Sequence, residues 1–362
     1  MKKVKLGDVC VKENSNIAQK DLGESNGNYP IYGASGFIKN IDFYKQDRKY
    51  VAVVKDGAGV GRTMLLPAYS SVIGTMQYIL PNSSIDVKYL YYVLSWLDLS
   101  RYCTGATIPH IYFKDFKNEE FFLPSIEEQK AIADRLDKIT DMIAKRKEQL
   151  SKLDQLVKSR FIEMFGSQCH NEKNYPYGKI DDVAEIYLGL THTPEYIETG
   201  VKFISAKNTS CDYLDLSDVK YISKEEYASA PAGAKPRKGD VLFSRVGSNL
   251  GHPVILDIDE ELCTFVSLGY LRTKGRVTNL YLKHWMRDDF FAEQVRRKVV
   301  GGGQPNLNTS WLKEFKIIIP PMDLQEQFSA FVEQVDKSKF EIQQSIDKLE
   351  TLKESLMQQY FG

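Results

Sequence analysis

Residues 151–166, "SKLDQLVKSRFIEMFG", resemble residues 347–362, "DKLETLKESLMQQYFG", and this internal similarity indicates the fold. At an offset of 196 residues, the segment 105–166 aligns with 301–362 without a gap. Such an alignment indicates that one structural unit, ending in a helix, occurs twice. The identical pairs are Gly105/Gly301, Pro109/Pro305, Lys117/Lys313, Pro124/Pro320, Gln129/Gln325, Lys152/Lys348, Leu153/Leu349, Leu156/Leu352, Ser159/Ser355, Phe165/Phe361 and Gly166/Gly362.

The repeat also has two recognisable beginnings. The first copy starts at "VKLGDV", residues 4–9, and the second at "GKIDDV", residues 178–183, an offset of 174 rather than 196. The second copy therefore contains about twenty additional residues between its start and its helix. Because 362 residues suffice for two domains of average size, we predict a two-domain chain with a pseudo-two-fold internal repeat.

Two long helices are predicted, one in each copy. Apolar residues recur at alternating steps of four and three, which is the pattern of a coiled-coil seam. Ser125 and Glu128 have the spacing of a capping box, and Gly166 ends the first helix. Each helix spans about 40 residues, or roughly 60 Å. The seam positions are Ile132, Leu136, Ile139, Ile143, Leu150, Leu153 and Val157 in the first helix, and Phe328, Val332, Val335, Ile342, Ile346, Leu349 and Leu356 in the second.

Such a helix must bury its apolar stripe, either on its own domain or on the other helix. Polar residues interrupt the seams at Arg146 and Arg160 in the first helix and at Lys339 and Lys353 in the second. Because interruptions of this kind can specify register between unlike helices, we favour packing of the two helices on each other. Each helix follows its own globular unit, so an antiparallel pair would act as a spacer between the units with approximate two-fold symmetry. The predicted fold is mixed α/β: two α/β domains, residues 1–124 and 167–320, separated by two long antiparallel coiled-coil helices, residues 125–166 and 321–362.

Each domain contains a glycine-rich loop after a buried strand. The first is in "KYVAVVKDGAGVGRTMLL", residues 49–66, and the second in "GDVLFSRVGSNLGHPVIL", residues 239–256. A dinucleotide-binding loop is one interpretation, but no helical pattern follows Gly61 and no P-loop Gly-Lys-Ser/Thr is present. A plain glycine-rich hairpin is a second interpretation. A third is a loop that presents polar side chains to DNA bases and phosphates.

Two further polar stretches precede the helices, "TGATIPHIYFKDF" at 104–116 and "GGGQPNLNTSWLKEF" at 301–315. Their glycines allow close backbone approach to a ligand, and the basic cluster at 296–298 lies just before the second. That cluster could equally be a solvated helix end. The candidate DNA-contacting residues are Lys55, Asp56, Arg62, Thr107 and His110 in the first domain, and Arg245, Ser248, Asn249, His252, Arg296, Arg297, Gln304 and Asn306 in the second.

Composition restricts the class of protein. Lys+Arg and Asp+Glu both number 48, so the net charge is zero. No single segment is basic enough to indicate nucleic-acid binding by itself. The five cysteines are far apart and the five histidines have no metal-ligand spacing, which predicts reduced thiols and no metal site. No run resembles a membrane span or signal peptide, so a cytoplasmic protein is expected. No catalytic motif is present, and we expect a non-catalytic chain.

The whole chain resembles the specificity (S) subunit of Type I restriction-modification systems. The motifs that carry this resemblance are "TIPHIYFKDFKNEEFFLPSIEEQKAI" at 107–132, "GGGQPNLNTSWLKEFKIIIPPMDLQEQF" at 301–328, "YPIYGASGFI" at 29–38 and "GDVLFSRVGS" at 239–248. Each long motif is similar to that family's Gly/Gln-Pro-Asn loop, short strand, proline turn and Glu/Gln-rich helix start. The first copy departs from the pattern, with His110 where the second has Asn306.

The resemblance implies a protein that binds double-stranded DNA with two target-recognition domains, each contacting one half of an asymmetric bipartite site. It also implies that the paired helices set the spacer and bind two methyltransferase (M) subunits. Those subunits would carry S-adenosylmethionine and flip out adenines for N6 methylation, so this chain needs no cofactor. Motor-nuclease (R) subunits are a further implied partner. The alternatives are a specificity subunit of another defence or methylation system, or a coiled-coil scaffold that binds protein.

Overall fold

The computed structural model describes residues 2–23, 27–105, 109–247, 249–298 and 305–362. The chain divides into two compact units. The first unit contains Met1–Glu148 together with Ile342–Gly362, and the second contains Gln149–Glu341. Each unit therefore combines one globular part with a segment of each long helix.

Small β-sheets form the globular part of the first unit. One sheet has the antiparallel order β2-β8-β5-β6, a second has the order β4-β3-β7 with β7 parallel to β3, and β1 pairs with β9. The strands are β1 (Lys2–Lys5), β2 (Cys10–Asn14), β3 (Tyr29–Gly33), β4 (Gly36–Ile41), β5 (Tyr50–Val54), β6 (Thr63–Leu66), β7 (Ser71–Val72), β8 (Met76–Pro81) and β9 (Glu120–Leu123).

Strand β5 shows why this segment forms the centre of a sheet. Its sequence YVAVV is rich in β-branched residues, and all five residues are buried. Val51 and Val53 pack into the cluster that includes the helices, whereas Tyr50, Ala52 and Val54 pack into a separate cluster on the other face. A strand that packs against other residues on both faces has a continuous apolar sequence rather than an alternating one.

The helices of the first unit pack on one face of this sheet. Helix α2 begins where Asp86 accepts hydrogen bonds from the amides of Lys88 and Tyr89, as an N-cap residue does. The predicted capping box is present at the start of α4, where the Ser125 amide donates to Glu128 at 3.0 Å. The helices are α1 (Leu6–Val9), α2 (Val87–Trp96), α3 (Phe113–Phe116) and α4 (Ile126–Phe165), with 3₁₀ turns at Gln19–Asp21 and Leu99–Tyr102.

The second unit repeats the same topology. Its sheets have the orders β11-β17-β14-β15, β13-β12-β16 and β10-β18, which match the first unit strand for strand. The strands are β10 (Tyr177–Lys179), β11 (Ala184–Leu188), β12 (Val201–Ile204), β13 (Lys220–Ile222), β14 (Val241–Ser244), β15 (Pro253–Ile255), β16 (Leu262–Thr264), β17 (Leu268–Thr273) and β18 (Lys316–Ile318). The helices are α5 (Ile180–Val183), α6 (Lys224–Ser229), α7 (Asn279–Trp285), α8 (Asp289–Lys298), α9 (Thr309–Lys313) and α10 (Met322–Phe361), with 3₁₀ turns at Ala206–Thr209 and Ala232–Ala234. The internal repeat is confirmed.

The additional residues of the second copy lie in two connections. The segment between β12 and β13 contains a 3₁₀ turn, and the segment between β13 and β14 contains α6. The equivalent connections in the first unit, between β3 and β4 and between β4 and β5, are shorter. The insertion therefore enlarges the edge of the three-stranded sheet and leaves the repeated core unchanged.

Helices α4 and α10 run antiparallel, as predicted. In the first unit, Arg135 donates to the Tyr360 hydroxyl at 2.6 Å, and Lys147 contacts Glu350 at 2.8 Å. In the second unit, Lys339 pairs with Asp154 at 2.5 Å. The helix segments also pack on the globular part of their unit, so both burial modes considered from the sequence occur together. Among the described helices, none is long and apolar enough to cross a membrane.

The predicted seam residues all face protein to some degree. Buried ones are Leu136, Ile139, Ile143, Val157, Phe328, Val332, Val335 and Ile346, and half-buried ones are Ile132, Leu150, Leu153, Ile342, Leu349 and Leu356. The helix ends contribute further buried side chains that the heptad pattern did not select, namely Ala133, Phe161, Met164, Phe165, Met357 and Phe361. These residues contact the globular cores, so their burial follows from packing on a domain rather than on a helix.

Candidate nucleic-acid interface

The glycine-rich loop of the first unit lies against the stretch that precedes the long helix. The loop joins β5 to β6 as a hairpin. The Gly57 amide donates to the Pro109 carbonyl at 2.8 Å, and the Ile111 amide donates to the Lys55 carbonyl at 2.9 Å. Because a strand and not a helix follows the loop, it lacks the geometry of a dinucleotide-binding turn.

The second unit contains the same pair of loops. The Gly247 amide donates to the Pro305 carbonyl at 3.3 Å, and the Leu307 amide donates to the Arg245 carbonyl at 2.8 Å. The two sequence regions that predicted DNA contacts are thus adjacent in each unit, although about 50 to 60 residues separate them along the chain. We call each pair of adjacent loops the composite loop site of its unit.

Charged and aromatic side chains surround the first composite loop site. Lys55 and Asp56 form an ion pair at 3.5 Å and are both partly exposed. The Arg62 side chain is exposed and donates to the Ala34 carbonyl at 3.1 Å. The rings of His110 and Tyr112 lie 5.1 Å apart. These donors and acceptors could contact bases and phosphates of a bound duplex.

In the second composite loop site, Arg245 contacts protein atoms through its whole guanidinium group. Nη1 donates to the Val266 carbonyl at 2.9 Å, Nε to the Leu307 carbonyl at 3.2 Å, and Nη2 to the Asn306 side chain at 3.4 Å. Burial lowers the pKa of Arg245 from its ordinary value. We interpret Arg245 as a residue that holds the two loops together and positions Asn306.

A groove of about 500 Å³ adjoins this second site. His252 lies at its edge, with Nε2 at 3.0 Å from the Cys211 carbonyl and 3.4 Å from Asp212. The exposed Asn249 also lines the groove. Arg287 closes one side by pairing with Asp212 at 2.6 Å. The segment around Cys211 belongs to the connection between β12 and β13, which is much shorter in the first unit, so these groove contacts are specific to the second site.

Arg296 and Arg297 lie in the last turn of α8. Both side chains pair with Glu293, at 2.8 and 2.9 Å, and both remain at least 70% exposed. This arrangement agrees with the solvated helix end considered from the sequence, and it leaves both guanidinium groups accessible to a ligand. Three other predicted contact residues, Thr107, Ser248 and Gln304, lie outside the described residues.

Two segments of the chain, residues 1–155 and 170–353, match the family model described as the Type I restriction modification DNA specificity domain. The chain belongs to this family. The match occurs twice, and each matched segment contains one globular part, one composite loop site and most of one long helix.

Relatives of this specificity-domain chain have low sequence identity. The MjaVIII specificity subunit of Methanocaldococcus jannaschii is 22% identical over 70% of this chain, and the EcoDI specificity subunit of Escherichia coli is 20% identical over 99%. The chain spans 64% of the MjaVIII subunit, less than two thirds of its length, and 87% of the EcoDI subunit.

Solved structures agree on the fold. The S subunit of a Type I restriction-modification system from M. genitalium superposes with a TM-score of 0.63 at 15% identity, covering 100% of this chain and 96% of that one. A chain from a study of assembly and conformational transition of the type I R-M system gives 0.58 at 17% identity, covering 99% and 97%.

The specificity-domain chain also contains a pair of buried glutamines whose role the sequence did not indicate. Gln129 accepts from the Asp86 amide at 2.7 Å and donates to the carbonyls of Ser84 and Pro124 at 3.0 Å. It is 0% exposed and links the start of α4 to the start of α2.

Gln325 makes the same three contacts in the second unit. It accepts from the Thr278 amide at 2.9 Å and donates to the carbonyls of Arg276 and Pro320 at 3.3 and 2.8 Å. The two glutamines are an identical pair in the repeat, which is the signal that could have identified them. Each glutamine thus hydrogen-bonds the start of its long helix to the segment that precedes a short helix of the same unit, α2 or α7.

The described residues contain no group of three or more His, Cys, Asp or Glu side chains that could hold a metal ion. The His252–Asp212 contact described above involves only one histidine and one carboxylate.

Proposed function

We propose that this chain is the DNA-binding specificity subunit of a Type I restriction-modification complex. The observation that carries the proposal is the composite loop site, built twice on the same backbone with different side chains. In the first unit the site contains Lys55, Asp56 and His110, whereas in the second it contains Asn306, which Arg245 positions. Two composite loop sites with the same backbone arrangement and different polar side chains suit recognition of two different DNA half-sites.

The assignment of segments follows from this proposal. Residues 1–124 form the first target-recognition domain and residues 167–320 the second. Residues 125–166 and 321–362 are the spacer helices. The antiparallel contacts between the helix segments within each unit support the spacer role. The target is accordingly a split, asymmetric sequence with a fixed gap.

The helices also offer equivalent surfaces to partner proteins. Leu156 and Leu352 occupy the same position of the repeat, and each is 47% exposed. Equivalent positions on the two helices suit two copies of one partner. We infer that these partners are two methyltransferase subunits that supply S-adenosylmethionine and the adenine N6 chemistry, with motor-nuclease subunits joining some complexes. The chain itself is non-catalytic.

A genome-wide map of N6-methyladenine tests the proposal. Cells with this gene and its methyltransferase partner are compared with cells that lack only this gene. Loss of methylation at one split, asymmetric motif is the expected result. Unchanged methylation would remove the recognition role and favour the scaffold interpretation.

Site variants refine this experiment. A change at an exposed loop residue, Arg62→Gln in the first unit or Asn249→Ala in the second, should alter methylation at one half-site and leave the other unchanged. A mobility shift with and without the methyltransferase partner provides an independent measurement, because a coiled-coil scaffold would not confer sequence-specific retardation of DNA.

A further inference from the structure

The first unit contains a basic groove beside its composite loop site. It has a volume of about 640 Å³ and borders the composite loop site through Lys55 and Asp56. Three more lysines line it: Lys12 on β2, Lys114 on α3 and Lys117 just after α3. None of these three belongs to the residues selected from the sequence.

Hydrogen-bond donors predominate among the polar groups of this groove. The acceptors are already paired: Asn14 accepts from Lys12 at 3.0 Å, and Asp56 pairs with Lys55 at 3.5 Å. Lys114 and Lys117 lie on the exposed rim. Among the described residues that line the groove, four are lysines and one is an aspartate, so the groove has an excess of positive charge that suits a ligand with several anionic oxygens.

A buried amide provides an independent indication of a ligand. Gln77 lies on the central strand β8 and lines the groove, yet it is only 1% exposed. Its Nε2 atom has no hydrogen-bond partner in the part of the chain that the structure describes. A buried donor without a partner is costly, and native proteins rarely keep one unless something else satisfies it. An acceptor oxygen at the floor of the groove would do so.

At the positions equivalent to Gln77 and the three lysines, the second unit has residues that are uncharged or already paired. Strand registers place Gly269 at the position of Gln77, and a side chain there would meet the Phe243 ring at 2.5 Å. The repeat places Ile186 and Ser310 where the first unit has Lys12 and Lys114. Lys313, the counterpart of Lys117, pairs with Asp181 at 3.5 Å.

We propose that this groove binds the phosphodiester backbone beside the first half-site, with Lys12, Lys114 and Lys117 neutralising phosphates and Gln77 donating to a phosphate oxygen. The inference rests on the proposed function and adds an asymmetry to it. Through these residues the first unit contributes a sequence-independent, salt-sensitive part of DNA binding that their counterparts in the second unit do not supply.

The test uses the chain assembled with its methyltransferase partner and a duplex that contains the mapped methylation motif. Affinity is measured between 50 and 200 mM salt by fluorescence anisotropy. Each phosphate contact contributes about 0.9 to the slope of log K against log salt, so the triple variant K12Q/K114Q/K117Q should reduce the slope by about three. The motif itself should not change.

Two single variants serve as matched controls. Lys313→Gln changes the repeat counterpart of Lys117 in the second unit, and Lys20→Gln changes an exposed lysine of the first unit that does not line the groove. Both should leave the slope unchanged. Gln77→Met tests the buried amide: it should weaken binding several-fold at every salt concentration and should not lower the melting temperature, because it removes a donor that is unpaired in the free protein.

The outcomes separate this inference from the proposed function. If the wild-type complex shows no motif that depends on this chain, the proposed function fails. If the wild-type complex recognises its motif but the triple variant keeps the wild-type slope, the groove assignment alone is wrong. Relaxed base preference at the first half-site with an unchanged slope would also overturn it, since the groove would then contact bases rather than phosphates.

Discussion

Replacing Gln129 with leucine should destabilise the first unit by about 3 kcal/mol. The side chain is fully buried and makes three hydrogen bonds, and leucine would leave the Asp86 amide and the carbonyls of Ser84 and Pro124 without this partner. Each loss of this kind costs about 1 kcal/mol. For a unit of this size, 1 kcal/mol lowers the melting temperature by about 2 to 4 °C, so we expect a decrease of about 6 to 12 °C.

Thermal unfolding followed by circular dichroism measures the shift, and amide hydrogen exchange locates it. The Asp86 amide should lose protection, since its acceptor is the Gln129 side chain. Gln325→Leu should give an equal decrease and expose the Thr278 amide in the second unit. Gln343→Leu is the matched control, because this exposed helical glutamine bonds only to Asp347 among the described residues, and its loss should cost less than about 0.5 kcal/mol. A Gln129→Leu shift no larger than the control's would mean that the three hydrogen bonds of Gln129 do not stabilise the first unit.

Three further predictions concern the loops, pH and the spacer. Gly251→Ala should lower stability by about 1 to 3 kcal/mol in urea unfolding, because the backbone φ is +77° and a Cβ would meet the Phe291 ring at 2.6 Å; an unchanged midpoint would contradict this. Burial, with neighbouring cations, lowers the pKa of His284 to about 3, so the folded state binds fewer protons than the unfolded state and stability should fall as pH drops below 6.5, by up to about 2 kcal/mol at pH 5. His284→Gln should abolish that part of the pH dependence. Inserting about four residues near Leu150 should change the spacer in the methylation map and leave both half-sites intact, since four helical residues span roughly 6 Å; an unchanged spacer would remove the spacer role.

The sequence determined the repeat and the long helices. The identical ending at Gly166 and Gly362, together with the seven-residue spacing of apolar side chains, sufficed to predict two copies of one unit and an antiparallel pair. Helix periodicity is local, and a repeat is visible in one dimension. The capping box of Ser125 and Glu128 was predictable for the same reason, because it depends on residues three positions apart.

Contacts between residues that are far apart in the sequence could be seen only in the tertiary structure. The composite loop sites form because backbone hydrogen bonds join loops that are far apart in sequence, and no local pattern specifies such partners. The use of Arg245 as an internal clamp depends on carbonyl groups from two other segments. No sequence pattern groups Gln77 with Lys12, Lys114 and Lys117. They line one groove because β2, β8 and α3 meet there. Side-chain burial and pairing are set by packing in three dimensions, which a single sequence does not encode in any short-range pattern.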